Sequence, residues 1–128
     1  MQFISEEDNS DSVLNWNESD IAFANDFLLA KAKGLGLAEE EILLPPRNIV
    51  KRLGCAVACR ECAIGMIGND PTIMVNGGRQ EDIYMQKYEV YRALIKDLSS
   101  SLSYADFAIE GTSAAGKGGV GTIRLSRG

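Results

Sequence analysis

Apolar residues recur at helical spacing in three stretches of the chain. The first stretch carries Ile21, Phe23, Ala24, Phe27 and Leu28. Ser19 or Asp20 can cap its free N–H groups, and Gly34 ends it with Lys31 and Lys33 in the last turn, where the helix dipole favours cations. The second stretch opens at Pro45-Pro46, since proline is tolerated in a first turn whose N–H has no partner, and is predicted to run from about Pro46 to Ile67. Ile49, Val50, Leu53, Ala56, Val57, Cys59, Ala63, Ile64 and Ile67 leave it only a narrow strip for Lys51, Arg52, Arg60 and Glu61. A helix apolar almost all round is the central, most buried element. The third stretch, Glu81 to Leu102, places Tyr84, Tyr88, Tyr91, Ile95, Leu98 and Leu102 at spacings of four and three. That single seam is predicted to pack on Leu53, Val57 and Ile64 of the second helix.

Between and around these stretches the pattern changes. Residues 1 to 18 are rich in Asn, Ser, Asp and Glu and predict an irregular lead-in, with Trp16 anchoring it on the body. Gly68-Asn69-Asp70-Pro71 breaks the second helix, and Thr72 to Val75 followed by Asn76-Gly77-Gly78 predicts an exposed loop or small hairpin. Beyond Ser103 the helical period fails. Five glycines fall between Gly111 and Gly121, and Thr122 to Arg127 then alternates like a strand. The expected architecture is mainly α: a small bundle of three principal helices (19–110) with an exposed loop, a polar lead-in (1–18), and a glycine-rich tether with a strand-like arm (111–128).

At 128 residues, with 45% apolar and 24% charged residues, the chain has the make-up of one globular domain. The absence of histidine excludes His-based triads, imidazole general bases and His-containing zinc sites. A net charge of -5 argues against an extensive phosphate-neutralising surface. The charge is uneven: residues 1 to 26 hold Glu6, Glu7, Asp8, Asp11, Glu18, Asp20 and Asp26 with no base, whereas residues 111 to 128 hold Lys117, Arg124 and Arg127 with no acid. Such asymmetry suits neighbour-to-neighbour contact in an assembly as well as it suits two solvated termini. Met1 to Ile4 runs straight into acidic residues and no apolar run reaches membrane-spanning length, so a soluble protein without a classical export signal is expected. Three cysteines within eight residues do not make a secreted disulfide framework, and a reducing interior is expected.

Three motifs resemble chemistry. Cys55, Cys59 and Cys62 have the CxxxCxxC spacing of radical S-adenosylmethionine enzymes, which opens an iron-sulfur or redox reading. Here they fall in mid-helix, on one stripe at i, i+4 and i+7, which favours core packing. Gly111 to Lys117 resembles a phosphate loop, but Gly118 stands where Ser or Thr must bind magnesium. Lys117 to Thr122 resembles the loop of partitioning ATPases but lacks its second lysine. Only six residues follow Thr122, too few for the helix whose amides would face a phosphate. The tyrosine seam would also serve as a base-stacking platform, the basis of a small regulatory or nucleic-acid-binding reading, although helical spacing beside a buried helix favours core. Glu81-Asp82 sit where a helix N-terminus favours negative charge. No cofactor, metal or catalytic residue is expected.

The order of parts (polar start, helix, proline-led apolar helix, exposed loop, a third helix with Tyr84-xx-Lys87-Tyr88-xx-Tyr91-xx-Leu94, glycine tether and basic strand) resembles the head-to-tail adaptor, or head-completion, proteins of tailed bacteriophages over residues 19 to 127. The resemblance implies a structural, non-enzymatic virion protein assembled in the host cytoplasm. It implies a ring of copies, commonly dodecameric, between the portal protein and a tail-side connector or terminator protein. Packaged DNA would pass through without specific binding, and no membrane would be involved. In that setting two groups become candidate contact residues: the loop positions Thr72, Ile73, Met74, Val75 and Arg79, and the arm positions Thr122, Ile123, Arg124, Leu125 and Arg127. The arm carries backbone groups that nothing local pairs, which suits strand addition to a neighbour with Ile123 and Leu125 as anchors.

Overall fold

A computed structural model describes residues 1–67 and 82–109. The loop residues Thr72 to Arg79 and the arm residues Thr122 to Arg127 lie outside that range. Within it the chain is mainly helical, in the order 3-10 turn (Glu6–Asp8), α1 (Glu18–Gly34), 3-10 turn (Glu39–Glu41), α2 (Asn48–Met66), α3 (Ile83–Ser101) and the single turn α4 (Tyr104–Phe107). Both α1 and α3 pack on α2, so the most apolar helix is the central one, as its composition predicts.

Helix ends follow local chemistry. α1 starts one to two residues earlier than predicted, because Asn17 is the cap: its Oδ1 accepts from the Asp20 N–H while Asp20 accepts from the Asn17 N–H. Lys31 and Lys33 occupy the last turn and Gly34 the end, as expected. Gly36 then turns the chain at φ +100°, a left-handed conformation that favours glycine. The prolines fall before α2 rather than in its first turn. Arg47 is the N-cap, and the Leu44–Pro45 bond is cis. α3 begins at Ile83 because Asp82 accepts from the Tyr84 N–H at 2.8 Å.

The larger core cluster lies at the α1–α2 contact and along the C-terminal half of α3, built from residues such as Leu28, Val50, Leu53, Val57, Ile95 and Leu98. At Gly54 a Cβ would stand 2.8 Å from Leu28 Cδ1 and 3.1 Å from Ile4 Cγ2, so the glycine admits α1 and the N-terminal segment to the same turn of α2. A second cluster joins Leu14, Cys59, Cys62 and Ala63, with Tyr84, Tyr88 and Tyr91 packed against it. Ile95 and Leu98 of the seam therefore share a cluster with Leu53 and Val57, as predicted, whereas Tyr84 and Tyr88 pack on the cysteine cluster instead and Ile64 is 46% exposed. α2 has an apolar circumference that two helices and one segment do not fully cover, and Ile64 lies on the uncovered side.

Two stretches contribute more core than their polar sequences suggest. Residues 1–17 are irregular apart from one 3-10 turn and Trp16 does anchor them, yet Phe3, Ile4 and Leu14 are also buried. Asn25 of α1 holds this start: its Oδ1 accepts from the Phe3 and Ile4 N–H groups at 2.7 and 3.0 Å, and its Nδ2 donates to Ile4 O at 3.2 Å. Beyond Ser103, where the helical period fails, α4 seats Phe107 edge-to-face on Phe3, their ring centroids 6.2 Å apart. Ile42 and Ala108 then form an isolated antiparallel bridge, closed by Leu43 N–H to Phe107 O and Ile109 N–H to Glu41 O.

Candidate functional site

The cysteine stripe of α2 faces the N-terminal segment, and each sulfur has its own partner there. The Cys55 thiol approaches the Asp8 carbonyl at 3.6 Å, the Cys62 thiol donates to the Asn15 carbonyl at 3.4 Å, and Cys59 Sγ accepts the Trp16 indole N–H at 3.3 Å. All three are free thiols, Cys59 and Cys62 buried and Cys55 half-buried. Burial, with Asp8 adding to it, pushes Cys55 up to about 11; burial, reinforced by Asp20, does the same for Cys62. Burial also raises Cys59, against the opposing hydrogen bond from the Trp16 indole. These are protonated, packing thiols at neutral pH, each tied to a separate point of the main chain or to the indole. Among the described residues, no group of three or more His, Cys, Asp or Glu side chains is arranged to hold a metal ion.

Asp11 is the polar centre of the same region. Its side chain is 5% exposed, and its Oδ2 accepts from Lys87 Nζ at 3.0 Å and from the Tyr91 hydroxyl at 2.5 Å. Burial works to raise this carboxyl, but the hydrogen bonds from Tyr91 and Lys87 outweigh it and hold the group below its ordinary range. Burial and the bond to Asp11 raise Tyr91, so its hydroxyl stays protonated and donates. Asp8 is held low chiefly by the Ser5 N–H, with Lys51 at 3.0 Å. Tyr84, Tyr88 and Tyr91, the possible stacking platform, are thus directed into packing and hydrogen bonds inside the fold.

The seven N-terminal acids separate into two groups. Asp8 and Asp11 are ion-paired and Asp20 belongs to a helix cap. Glu6, Glu7, Glu18 and Asp26 are exposed, carry no ion pair among the described residues, and surround one open hollow of about 640 Å³ between the N-terminal segment and α1. Sequence alone shows an acidic run; the fold makes it an acidic face.

The described elements show where the chain leads toward the predicted contact segments, which themselves lie outside the described residues. α2 delivers the chain to residues 68–81 at its C-terminal end, and α3 receives it back at Asp82. α3 returns antiparallel to the starting end of α2, where Phe107 and Ala108 lie beside Phe3 and Ile42, and there the chain continues into residues 110–128. The described chain therefore leads toward residues 68–81 at one end of a 19-residue helix about 28 Å long and toward residues 110–128 near the other. No described helix is long and apolar enough to cross a membrane. The chain matches no protein-family model, no curated protein and no solved structure.

Proposed function

We propose that this protein is a structural subunit that joins neighbours through residues 68–81 and 110–128, and that its setting is the head-to-tail adaptor ring of a tailed bacteriophage. The observation that carries the reading is that the described chain leads toward residues 68–81 and 110–128 at opposite ends of the bundle. A subunit so built can engage one layer of an assembly at one end and another at the other, which is what a ring between portal and tail connector requires. Described side chains support a scaffold role. Asn25, Asp11, Asp8 and the three cysteines hold residues 1–17 onto α1, α2 and α3, leaving a pre-organised body. The face of Glu6, Glu7, Glu18 and Asp26 suits a channel wall that repels the DNA passing it.

Deleting residues 119–128 tests the reading. The truncated chain should keep its helical circular dichroism and its melting temperature while losing ring formation or portal binding in sedimentation. A truncated chain that still built infectious, DNA-filled particles would refute the arm's role, and a full-length chain that stayed monomeric with portal protein present would refute the adaptor reading.

A further inference from the structure

Where the N-terminal segment crosses the start of α2, the three packed elements leave a cleft of about 310 Å³, at the small end of the range for ligand pockets. Its apolar lining comes from all three: Trp16 from the segment, Ala56 and the Cys55 and Cys59 side chains from α2, and Leu94 with the Tyr91 ring from α3. Its polar lining is Ser10, Asn48, Lys51 and Arg52.

We propose that this cleft binds a small flat monoanion of the aromatic carboxylate class. The sign of the ligand follows from charge balance. Lys51 is paired with Asp8 and Lys87 with Asp11, each at 3.0 Å, so these charges cancel locally. Arg52 is exposed and has no ion-pair or hydrogen-bond partner among the described residues, which leaves one guanidinium in surplus at the cleft of a chain whose net charge is -5. α2 adds to this field, because its first turn has no acidic residue and its cap supplies no side-chain acceptor. The cysteines add no negative charge, since burial keeps both thiols protonated. A guanidinium matches a carboxylate in a planar, two-point fashion. Ser10 and Asn48 have no side-chain bond within the described fold and supply further donors. The shape of the ligand follows from the aromatic lining: an indole and a phenol ring favour a flat apolar body, and Tyr91 offers only its ring because its hydroxyl is engaged by Asp11.

Trp16 makes the test direct. It is the chain's one tryptophan, so its indole N–H gives a single resonance, and that N–H is the group bonded to Cys59 in the cleft. Isotope-labelled full-length protein is titrated with 4-fluorobenzoate and, in parallel, with the neutral 4-fluorobenzyl alcohol. Benzoate should shift the indole resonance saturably, with a dissociation constant on the order of 1 mM for so small a molecule. The alcohol should bind about tenfold more weakly. Arg52→Gln, a change at an exposed position, should weaken benzoate by about tenfold with the circular dichroism spectrum unchanged, and Lys96→Gln on the exposed side of α3 should leave it unaltered. An unmoved indole resonance, equal affinity for acid and alcohol, or full affinity in Arg52→Gln would each overturn the proposal.

Discussion

The Tyr91 hydroxyl donates to Asp11 Oδ2 at 2.5 Å, tying the middle of α3 to a residue eighty positions earlier in the chain. With Lys87 on the same oxygen, this is the bond that fastens the N-terminal segment to the far side of the bundle. Its stability contribution depends on pH in a fixed direction. The folded-state pKa of Asp11 is depressed, so the contribution is complete above the ordinary value of 3.8 and fades as pH falls through the lower folded value. Asp11→Asn should therefore cost about 1–3 kcal/mol in urea unfolding at pH 7, and the gap to the parent should close at acid pH. Asp8, also depressed, leaves the variant a smaller acid sensitivity of its own. Equal stability at pH 7 would show that the network contributes nothing.

The core seam is checked by three substitutions with different expected costs. Leu98→Ala removes a buried side chain from the α2–α3 contact and should destabilise by roughly 2–5 kcal/mol. Val57→Asp places a charge at a fully buried position of α2 and should prevent folding. Ile64→Ala, at a position 46% exposed, should fall within about 1 kcal/mol of the parent. A large loss at Ile64 in thermal melts would mean that a partner covers it in solution.

These outcomes mark what was legible in the sequence. The three long helices carried unbroken periods, and Lys31, Lys33 and Gly34 marked an end that the fold keeps. Ile64 was misplaced because a helix apolar on every side gives no sign of which stripe its neighbours leave uncovered. Phe3, Ile4 and Leu14 are single apolar residues in a polar run, and no period announces that each reaches a core. The same holds for Phe107, in a helix of one turn whose burial depends on Phe3, more than a hundred residues away. The Asp11–Tyr91 pair was hidden for a related reason. An acid in an acidic lead-in and a tyrosine in a seam each have an ordinary local explanation, and only tertiary proximity joins them.

Thiol chemistry provides an independent check on the cysteine stripe. With Cys55 and Cys62 both raised to about 11, thiolate at pH 8 is on the order of one part in a thousand. Reaction with an aromatic disulfide reagent should be at least about tenfold slower in the folded protein than in denaturant, with half-buried Cys55 reacting first. Freshly isolated protein should also carry no stoichiometric iron or zinc, because the three sulfurs are engaged by separate groups, the Asp8 and Asn15 carbonyls and the Trp16 indole. A fast-reacting thiol, or one metal ion per chain, would reopen the redox reading.

Arg47 governs the end from which the chain leaves for residues 110–128. It is the N-cap of α2, and its guanidinium reaches across to α4, where Nη1 donates to the carbonyls of Ala105 and Ala108 at 3.0 and 2.5 Å. Those carbonyls lie at a helix end that has no further turn to satisfy them, so a cation there acts both as hydrogen-bond donor and as counter-charge to the helix dipole. The bonds hold α4 in place, and α4 in turn seats Phe107 on Phe3 and sets the Ile42–Ala108 bridge. Arg47→Met keeps much of the apolar stem while removing every donor. It should cost about 1.5–3 kcal/mol and speed hydrogen exchange at the Leu43 and Ile109 amides, which bond across the bridge, while amides in the middle of α2 keep their protection. Arg47→Lys should recover only part of the protection, because one ammonium does not reproduce the reach and planar fork of a guanidinium. Unchanged exchange at Leu43 and Ile109 in Arg47→Met would mean that Phe107 packing alone fixes this end of the bundle.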